Sequence, residues 1–372
     1  MRTACILFFW LLTAAANAQP VLRGQVVNEA DGQPVPFCSV FLANTTKGTT
    51  ADETGRFTLA TIPTGRFELV ASSVGFETRA MPLPTDLSVP VLIRLNPSAK
   101  QLAEVQVRAS RDPEWLENLT LFRQLFIGTS ANAAQCRVVN QNALWFDDDR
   151  AARKLTAGSR QPLVIENQAL GYRITYALTQ FVYDYALNYV SYLGYPVYEP
   201  MTARNRRDQS RWATARKAAY NGSALHFMRT IHSEQVDNEG FELRRVLERT
   251  DSTRVRGEWR IKKNRYLIAD KLPGTFLIQP ETDTDSLRVL DFDNLIQVTY
   301  LREKESSEYL RSVATMGEKP SNPGPQTSLI YLTQPTVTVE RNGNFYPQLG
   351  VIFEGYWGWE KMAELLPLNY VP

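Results

Sequence analysis

Histidine-based acid, base and metal chemistry has little to draw on in this chain. Of 372 residues only two are histidine, His226 and His232. They stand six apart, roughly 240° around a helix of 3.6 residues per turn, so they face different ways and cannot clamp one metal ion. Cys136 could in principle form a nucleophile pair with either histidine, but no local signature places them together. The chain holds no Gly-x-Ser-x-Gly elbow and no phosphate-loop pattern. The acidic clusters Asp147-Asp148-Asp149, Asp283-x-Asp285 and Asp291-x-Asp293 do not continue as Asp-x-Asp-x-Asp-Gly with a later Glu, so they read as exposed turns. The expectation is no catalytic residue, no metal and no cofactor.

Two other groupings are fit for binding. Residues 172 to 198 hold eight of the sixteen tyrosines. Tyr183, Tyr185, Leu187 and Tyr189 share one strand face, as in cross-strand packing of a half-buried sheet. Tyr192, Tyr195 and Tyr198 fall among Gly and Pro, which predicts a surface loop whose rings could contact a ligand or partner. The second grouping is basic: Arg204, Arg206, Arg207, Arg211, Arg216 and Lys217, with Asp208 the single acid among them. Arg204, Arg207 and Arg211 align on one helix face beside the stripe Trp212, Ala215 and Ala219. Such a face is either solvated, its stems covering apolar surface, or a contact for an anionic partner such as phosphate-bearing lipid or an acidic protein face.

The elements that must carry these side chains divide into two domains. Composition is that of a globular protein, 44% hydrophobic and 22% charged, with formal net charge +2, which argues against disorder and gives no global case for nucleic-acid binding. Met1-Arg2, an apolar run from Ala4 to Ala16 and Ala16-Asn17-Ala18 read as a signal peptide over residues 1–18, cleaved before Gln19. The run is short of the ~20 residues a spanning helix needs, and no later stretch supplies them. Residues 19–97 read as a β-sandwich: strands at Leu22–Asn28, Phe37–Leu42, Arg56–Leu59, Phe67–Val74 and Val89–Leu95, with turns at Asp31-Gly32, Asp52-Glu53-Thr54-Gly55 and Pro63-Thr64-Gly65. Phe37 to Leu42 is apolar on both faces, which marks a central strand. Residues 98–110 read as a linker.

The second domain, 111–372, reads as β-rich α+β. Asp112 and Pro113 open a helix carrying Trp115, Leu119, Phe122 and Phe126, ended by Gly128. Strands follow at 138–146, 154–157, 163–167, 172–178 and 181–189. A helical pair, Arg204–Tyr220 and Ser223–Glu234, breaks at Asn221-Gly222. Strands resume at 241–247, 254–262, 287–292 and 296–302. Residues 303–327 are polar and read as a long loop. Asn342-Gly343 closes a hairpin after 336–341, and 357–366 reads as a short helix.

Gly24-Gln25-Val26, Asp31-Gly32-Gln33-Pro34-Val35, Thr50 to Phe57, Ile62-Pro63-Thr64-Gly65 and Val74-Gly75-Phe76, in that order, resemble the carboxypeptidase regulatory-like domain. The resemblance implies a seven-stranded transthyretin-like sandwich of about 78 residues. The same module is found at the N-terminus of TonB-dependent outer-membrane receptors of Gram-negative bacteria, and Ala103-Glu104-Val105-Gln106-Val107 resembles the segment that follows it there. In carboxypeptidases the module accompanies a separate zinc domain with a His-x-x-Glu pair and a later histidine. Here His226 precedes Phe227-Met228-Arg229 and His232 precedes Ser233-Glu234-Gln235, so the resemblance carries the module and its compartment without peptidase activity. The whole chain, through Tyr189 to Pro196 and Ala363 to Pro372, is also similar to bacterial envelope proteins whose C-terminal region has no activity to transfer.

The resulting expectation is a mainly β, exported, non-catalytic binding or scaffolding protein at the periplasm or outer membrane. Its partner would be an envelope protein or glycan, with peripheral membrane contact and no nucleic acid. The alternatives are a hydrolase in the second domain, which needs a pocket with convergent carboxylates or Cys136 beside a histidine, and a small outer-membrane barrel with lipid-facing aromatic girdles. Cys38 and Cys136 fall in different domains, so they are expected as free thiols. Thiol titration of unfolded, unreduced protein should find both reactive; zero reactive thiols would mean a disulfide.

Overall fold

The computed structural model describes residues 20–98, 112–255, 258–280, 287–315 and 322–372. The expected signal peptide, almost all of the expected linker and Asp283-x-Asp285 lie outside them.

The first domain has the expected seven strands: β1 (Val21–Asn28), β2 (Ser39–Leu42), β3 (Gly48–Thr50), β4 (Arg56–Ala60), β5 (Glu68–Ser72), β6 (Arg79–Pro82) and β7 (Val91–Leu95). They form two sheets, β4-β1-β7 and β3-β2-β5-β6. Their inward faces make a core of Leu22, Val26, Cys38, Val40, Leu42, Phe57, Leu69 and Ile93. The Asp52–Gly55 reversal forms as its residues predict: Asp52 Oδ1 accepts from the N–H of Thr54 at 2.8 Å and of Arg56 at 2.9 Å. Gly55 has φ +72°, and a Cβ there would lie 2.4 Å from the Val26 carbonyl, so only glycine fits.

The span read from the sequence as the second domain opens with α1 (Pro113–Phe126), capped by Asp112, which accepts from Glu114 N–H at 3.1 Å. A sheet follows: β8 (Cys136–Val138), β9 (Leu144–Asp149), β10 (Lys154–Ser159), β11 (Leu163–Asn167), β12 (Tyr172–Asp184) and β13 (Tyr189–Pro200). One edge of β12 is covered along its length by β13. The other is covered by β11 over 172–176 and by β10 over 182–184. Helix α1 lies on this sheet through Phe122 and Phe126, whose rings sit 4.8 Å from Phe181 and 4.9 Å from Tyr176.

Helices α2 (Arg206–Tyr220) and α3 (Ala224–His232) form the expected pair. Beyond them are β14 (Phe241–Val255), β15 (Glu258–Leu272), β16 (Ile278–Pro280), β17 (Leu287–Leu290), β18 (Leu295–Lys304), α4 (Ser307–Thr315), β19 (Pro325–Leu332), β20 (Val337–Glu340), β21 (Phe345–Tyr346), β22 (Val351–Gly355) and α5 (Tyr356–Trp359). The strands make two sheets, β15-β14-β18-β19-β22 and β16-β17-β20-β21. Phe227, Met228 and Ile231 of α3 share a core with both. Among the described residues no strand order closes on itself, and the six-stranded sheet branches at β12, where β13 joins it. No helix among these residues is long and apolar enough to cross a membrane.

Several boundaries differ from the sequence reading, each for a physical reason. Residues 172–184 are one strand, because a bulge between Leu178 and Gln180 shifts the side-chain parity without ending the pairing. Residues 241–255 and 258–272 form one long ribbon. Only 241–246 also pair with β18, so beyond them the ribbon has no third strand among the described residues. The expected loop after 303 contains α4, where Ser306 Oγ accepts from Tyr309 N–H at 3.2 Å and Tyr309 packs on Tyr356 at 5.0 Å. The span 138–146 is interrupted by a 3-10 turn at Gln141–Ala143. The last helix is only four residues long. Asp147–Asp149 end strand β9, with Asp148 3.4 Å from Arg150, rather than lying in a turn.

Strand β2 is central, and its two apolar faces have different uses. Cys38, Val40 and Leu42 point into the sandwich. Phe41, 2% exposed, points out of it and packs with Val70 against Ala177 and Val197 of the second domain. Phe37, just before the strand, is 65% exposed. The Phe41→Ala variant should therefore lose about 3 kcal/mol or more, and Phe37→Ala less than about 0.5 kcal/mol. Equal denaturation midpoints for the two variants would contradict this placement.

Candidate functional site

A chemically varied concavity lies where α2 ends and α3 begins. The joint is Asn221-Gly222. Asn221 N–H still bonds to Lys217 O at 3.0 Å, and Gly222 turns the chain at φ +70°. A Cβ on Gly222 would meet Gln326 Oε1 and the Tyr300 ring, both at 2.6 Å. Ser223 then caps α3, accepting from His226 N–H at 3.1 Å. The turn thus delivers His226 against β14 and β18. The cleft has a volume of about 470 Å³ and is lined by Lys217, Asn221, His226, Glu239, Arg302 and Glu303, with Tyr220, Tyr300 and Pro372.

Both nitrogens of His226 are engaged. Nδ1 accepts the Gly222 N–H at 3.2 Å. Nε2 therefore carries the hydrogen and faces Glu239 Oε2 at 3.5 Å. A neutral imidazole held this way has no free lone pair with which to accept a substrate proton. Charging it would set Nδ1–H against the Gly222 N–H. Burial pulls its pKa below the ordinary value, with the Glu239 carboxylate opposing. Glu239 is also 3.6 Å from Arg302 Nη1, and Arg302 Nη2 donates to Asn238 O at 2.5 Å. Glu303 accepts from Asn221 Nδ2 and from Gln326 Nε2, each at 3.3 Å. Burial raises its pKa.

None of the six binding candidates read from the sequence lines this cleft. Tyr192, Tyr195 and Tyr198 lie on β13, not in a loop. Pro196 is tolerated because β13 is at the edge of its sheet. Gly194 is required because a Cβ there would lie 2.3 Å from the Tyr176 ring. Tyr198 is 1% exposed and 5.7 Å from the Tyr172 ring, so no ligand reaches it. Tyr192 sits under α1, 5.1 Å from Phe126, and burial pushes its hydroxyl up to about 12. Tyr195 packs against the contact between the domains. Arg204, Arg207 and Arg211 are exposed as expected. Arg204, however, precedes α2, whose cap is Asn205, and Arg211 pairs with Asp208 at 3.5 Å. Of the same basic run, Arg216 turns inward to the carbonyls of Leu170 and Gly171, and Lys217 reaches the cleft.

Cys38 and Cys136 are free and buried, as expected. Cys136 Sγ faces Asn132 O at 3.4 Å, and burial pushes its thiol up to about 12, which does not suit a nucleophile. Among the described residues no group of three His, Cys, Asp or Glu side chains could hold a metal ion. The Asn-Gly joint was legible in the sequence, but Glu239, Arg302 and Glu303 stand far from it along the chain and only the sheet brings them in.

The folded protein holds His226 less protonated than an unfolded chain does. As pH falls below the ordinary histidine value the unfolded state takes up the proton first. The stability due to neutral His226 is therefore complete above that value and is lost as pH drops through the folded one. Denaturation between about pH 5 and about pH 8 should show stability falling toward acid, and less steeply in His226→Gln. An unchanged slope would refute the assignment.

Residues 22–107 match the family described as CarboxypepD_reg-like domain. A stretch of 67 residues is 37% identical to TonB-dependent receptor P39 of Formosa agariphila, covering 18% of this chain and 6% of that receptor. Residues 22–107 take in the seven strands of the sandwich except Val21, and the N-terminal module is thus similar to the CarboxypepD_reg-like domain and to part of a TonB-dependent receptor.

Proposed function

We propose that this chain is a non-catalytic binding or scaffolding protein of the cell envelope, acting beside outer-membrane nutrient-uptake machinery. The observation that carries the reading is how the receptor-like sandwich is used. Its outer face is covered by the second domain through backbone pairing: Asn44 N–H to Pro196 O at 2.7 Å and Tyr198 N–H to Thr45 O at 2.9 Å. The module is built into a larger surface rather than tethered to an independent enzyme. His226, with both nitrogens engaged, supports a binding role over general-base hydrolysis. The partner is an envelope protein or a glycan, and the exposed Arg204, Arg207 and Arg211 offer a cationic contact to an anionic group on it or on the membrane surface.

Fractionation of cells making the full chain tests this. The protein should appear in the envelope fraction and be released by carbonate, and charge reversal of Arg204, Arg207 and Arg211 to Glu should make it elute at lower salt. Recovery in the cytosol, or in a carbonate-resistant pellet, would overturn the reading. Identical salt release of the variant would remove the arginines from it.

A further inference from the structure

We infer that the cleft at the α2–α3 joint is a binding site for a small zwitterion of amino-acid or dipeptide size, with Lys217 taking its carboxylate and Glu303 its ammonium group. The inference rests on the reading of this chain as a binding protein and adds the ligand class.

The charges around the cleft do not all cancel internally. Glu239 is satisfied from two sides, by His226 Nε2 at 3.5 Å and Arg302 Nη1 at 3.6 Å. Arg302 is spent on Glu239 and on the Asn238 carbonyl. Among the charged side chains lining the cleft, that leaves Lys217 and Glu303. Lys217 is exposed at the rim and has no carboxylate partner among the described residues. Glu303 is half-buried, and its two oxygens accept from the neutral amides of Asn221 and Gln326, at a long 3.3 Å each. A half-buried carboxylate held by neutral donors is stabilised by an arriving cation. A rim ammonium and a half-buried carboxylate facing one volume recognise a molecule that bears both opposite charges.

The aromatic walls narrow the ligand further. Tyr220 and Tyr300 are 8% and 3% exposed. Their rings already meet His226 at 4.7 and 5.9 Å, Tyr370 at 5.8 Å and Phe241 at 4.8 Å. No ring face is left to stack on a sugar, so polar ends, not a flat apolar body, carry recognition. A volume of about 470 Å³ lies within the range of about 300–1,000 Å³ typical of small-molecule sites.

Calorimetric titration of the full chain with the dipeptide alanyl-alanine, its N-acetyl form and its C-terminal amide tests this. The free dipeptide should bind, and each blocked form should bind about tenfold or more weakly. Lys217→Ala should abolish the difference between free dipeptide and amide. Glu303→Gln should abolish the difference between free dipeptide and N-acetyl form. Unchanged thermal unfolding would show that both variants remain folded; if Glu303→Gln unfolds, the Lys217→Ala comparison decides. No binding of the free dipeptide at millimolar concentration, equal binding of the blocked forms, or variants that discriminate as the parent does would each overturn the site. Release of free alanine during the titration would instead overturn the non-catalytic reading and leave the site standing.

Discussion

A single contact, Phe41 and Val70 of the sandwich against Ala177 and Val197 of the second domain, decides how the rest of the chain is arranged. A four-stranded sheet has two faces, and only one can belong to its own core. The outer face of β2 and β5 is apolar and would be unfavourable in water. Strands β12 and β13 cover it, and the backbone around Asn44 and Thr45 then aligns with Pro196 to Tyr198. The end of the chain is drawn into the same seam: Leu368 N–H bonds to Asn44 O at 2.7 Å, and the Asn369 side chain bonds to Thr46 at both ends, at 3.0 and 2.7 Å. A second seam forms where Glu340, 3% exposed, accepts from the Arg66 N–H at 2.8 and 3.1 Å. Burial raises the pKa of that carboxyl while the Arg66 contacts oppose the rise.

The tyrosine-rich strands acquire their role from this seam. Their aromatic density serves two layers at once, α1 on one side and the sandwich on the other. Tyr176 and Tyr192 face Phe126, and Tyr195 faces the sandwich. Rings used this way supply contact area rather than ligand platforms. The polar chemistry collects instead where packing is interrupted, at the Asn221-Gly222 joint, because a helix break leaves backbone groups for side chains to satisfy. His226 is recruited to that task by the Gly222 N–H, and Gly222 O accepts from Trp357 Nε1 at 2.7 Å.

Much of the fold was legible in the residues. The turn formed by Asp52 to Gly55, the Asp112 cap, the helical pair and the hairpin at Asn342-Gly343 each depend on local geometry that a few neighbouring side chains dictate. The elements that were misread lack such local signals. Beyond the residues that pair with β18, the β14–β15 ribbon has no third strand to impose a buried face, and Tyr266 and Leu267 are 47% and 49% exposed. Helix α4 is short and polar, and what holds it is Tyr309 against Tyr356 and Trp359, more than 40 residues further along the chain. Strand β13 carries Gly and Pro, which punctuate a chain unless a neighbouring ring or a sheet edge accommodates them.

The sequence by itself determined the sandwich, its resemblance to a receptor-associated module, the absence of histidine zinc spacing and the exposed run of arginines from Arg204 to Arg211, since each rests on residue type at short spacing. Tertiary structure alone decided which face of β2 is an interface, that Tyr192, Tyr195 and Tyr198 are packed, and that Lys217, His226, Glu239, Arg302 and Glu303 share one cleft. The reason is separation along the chain: burial and charge pairing between residues tens to hundreds of positions apart are set by which sheet face meets which, and no local pattern encodes that meeting.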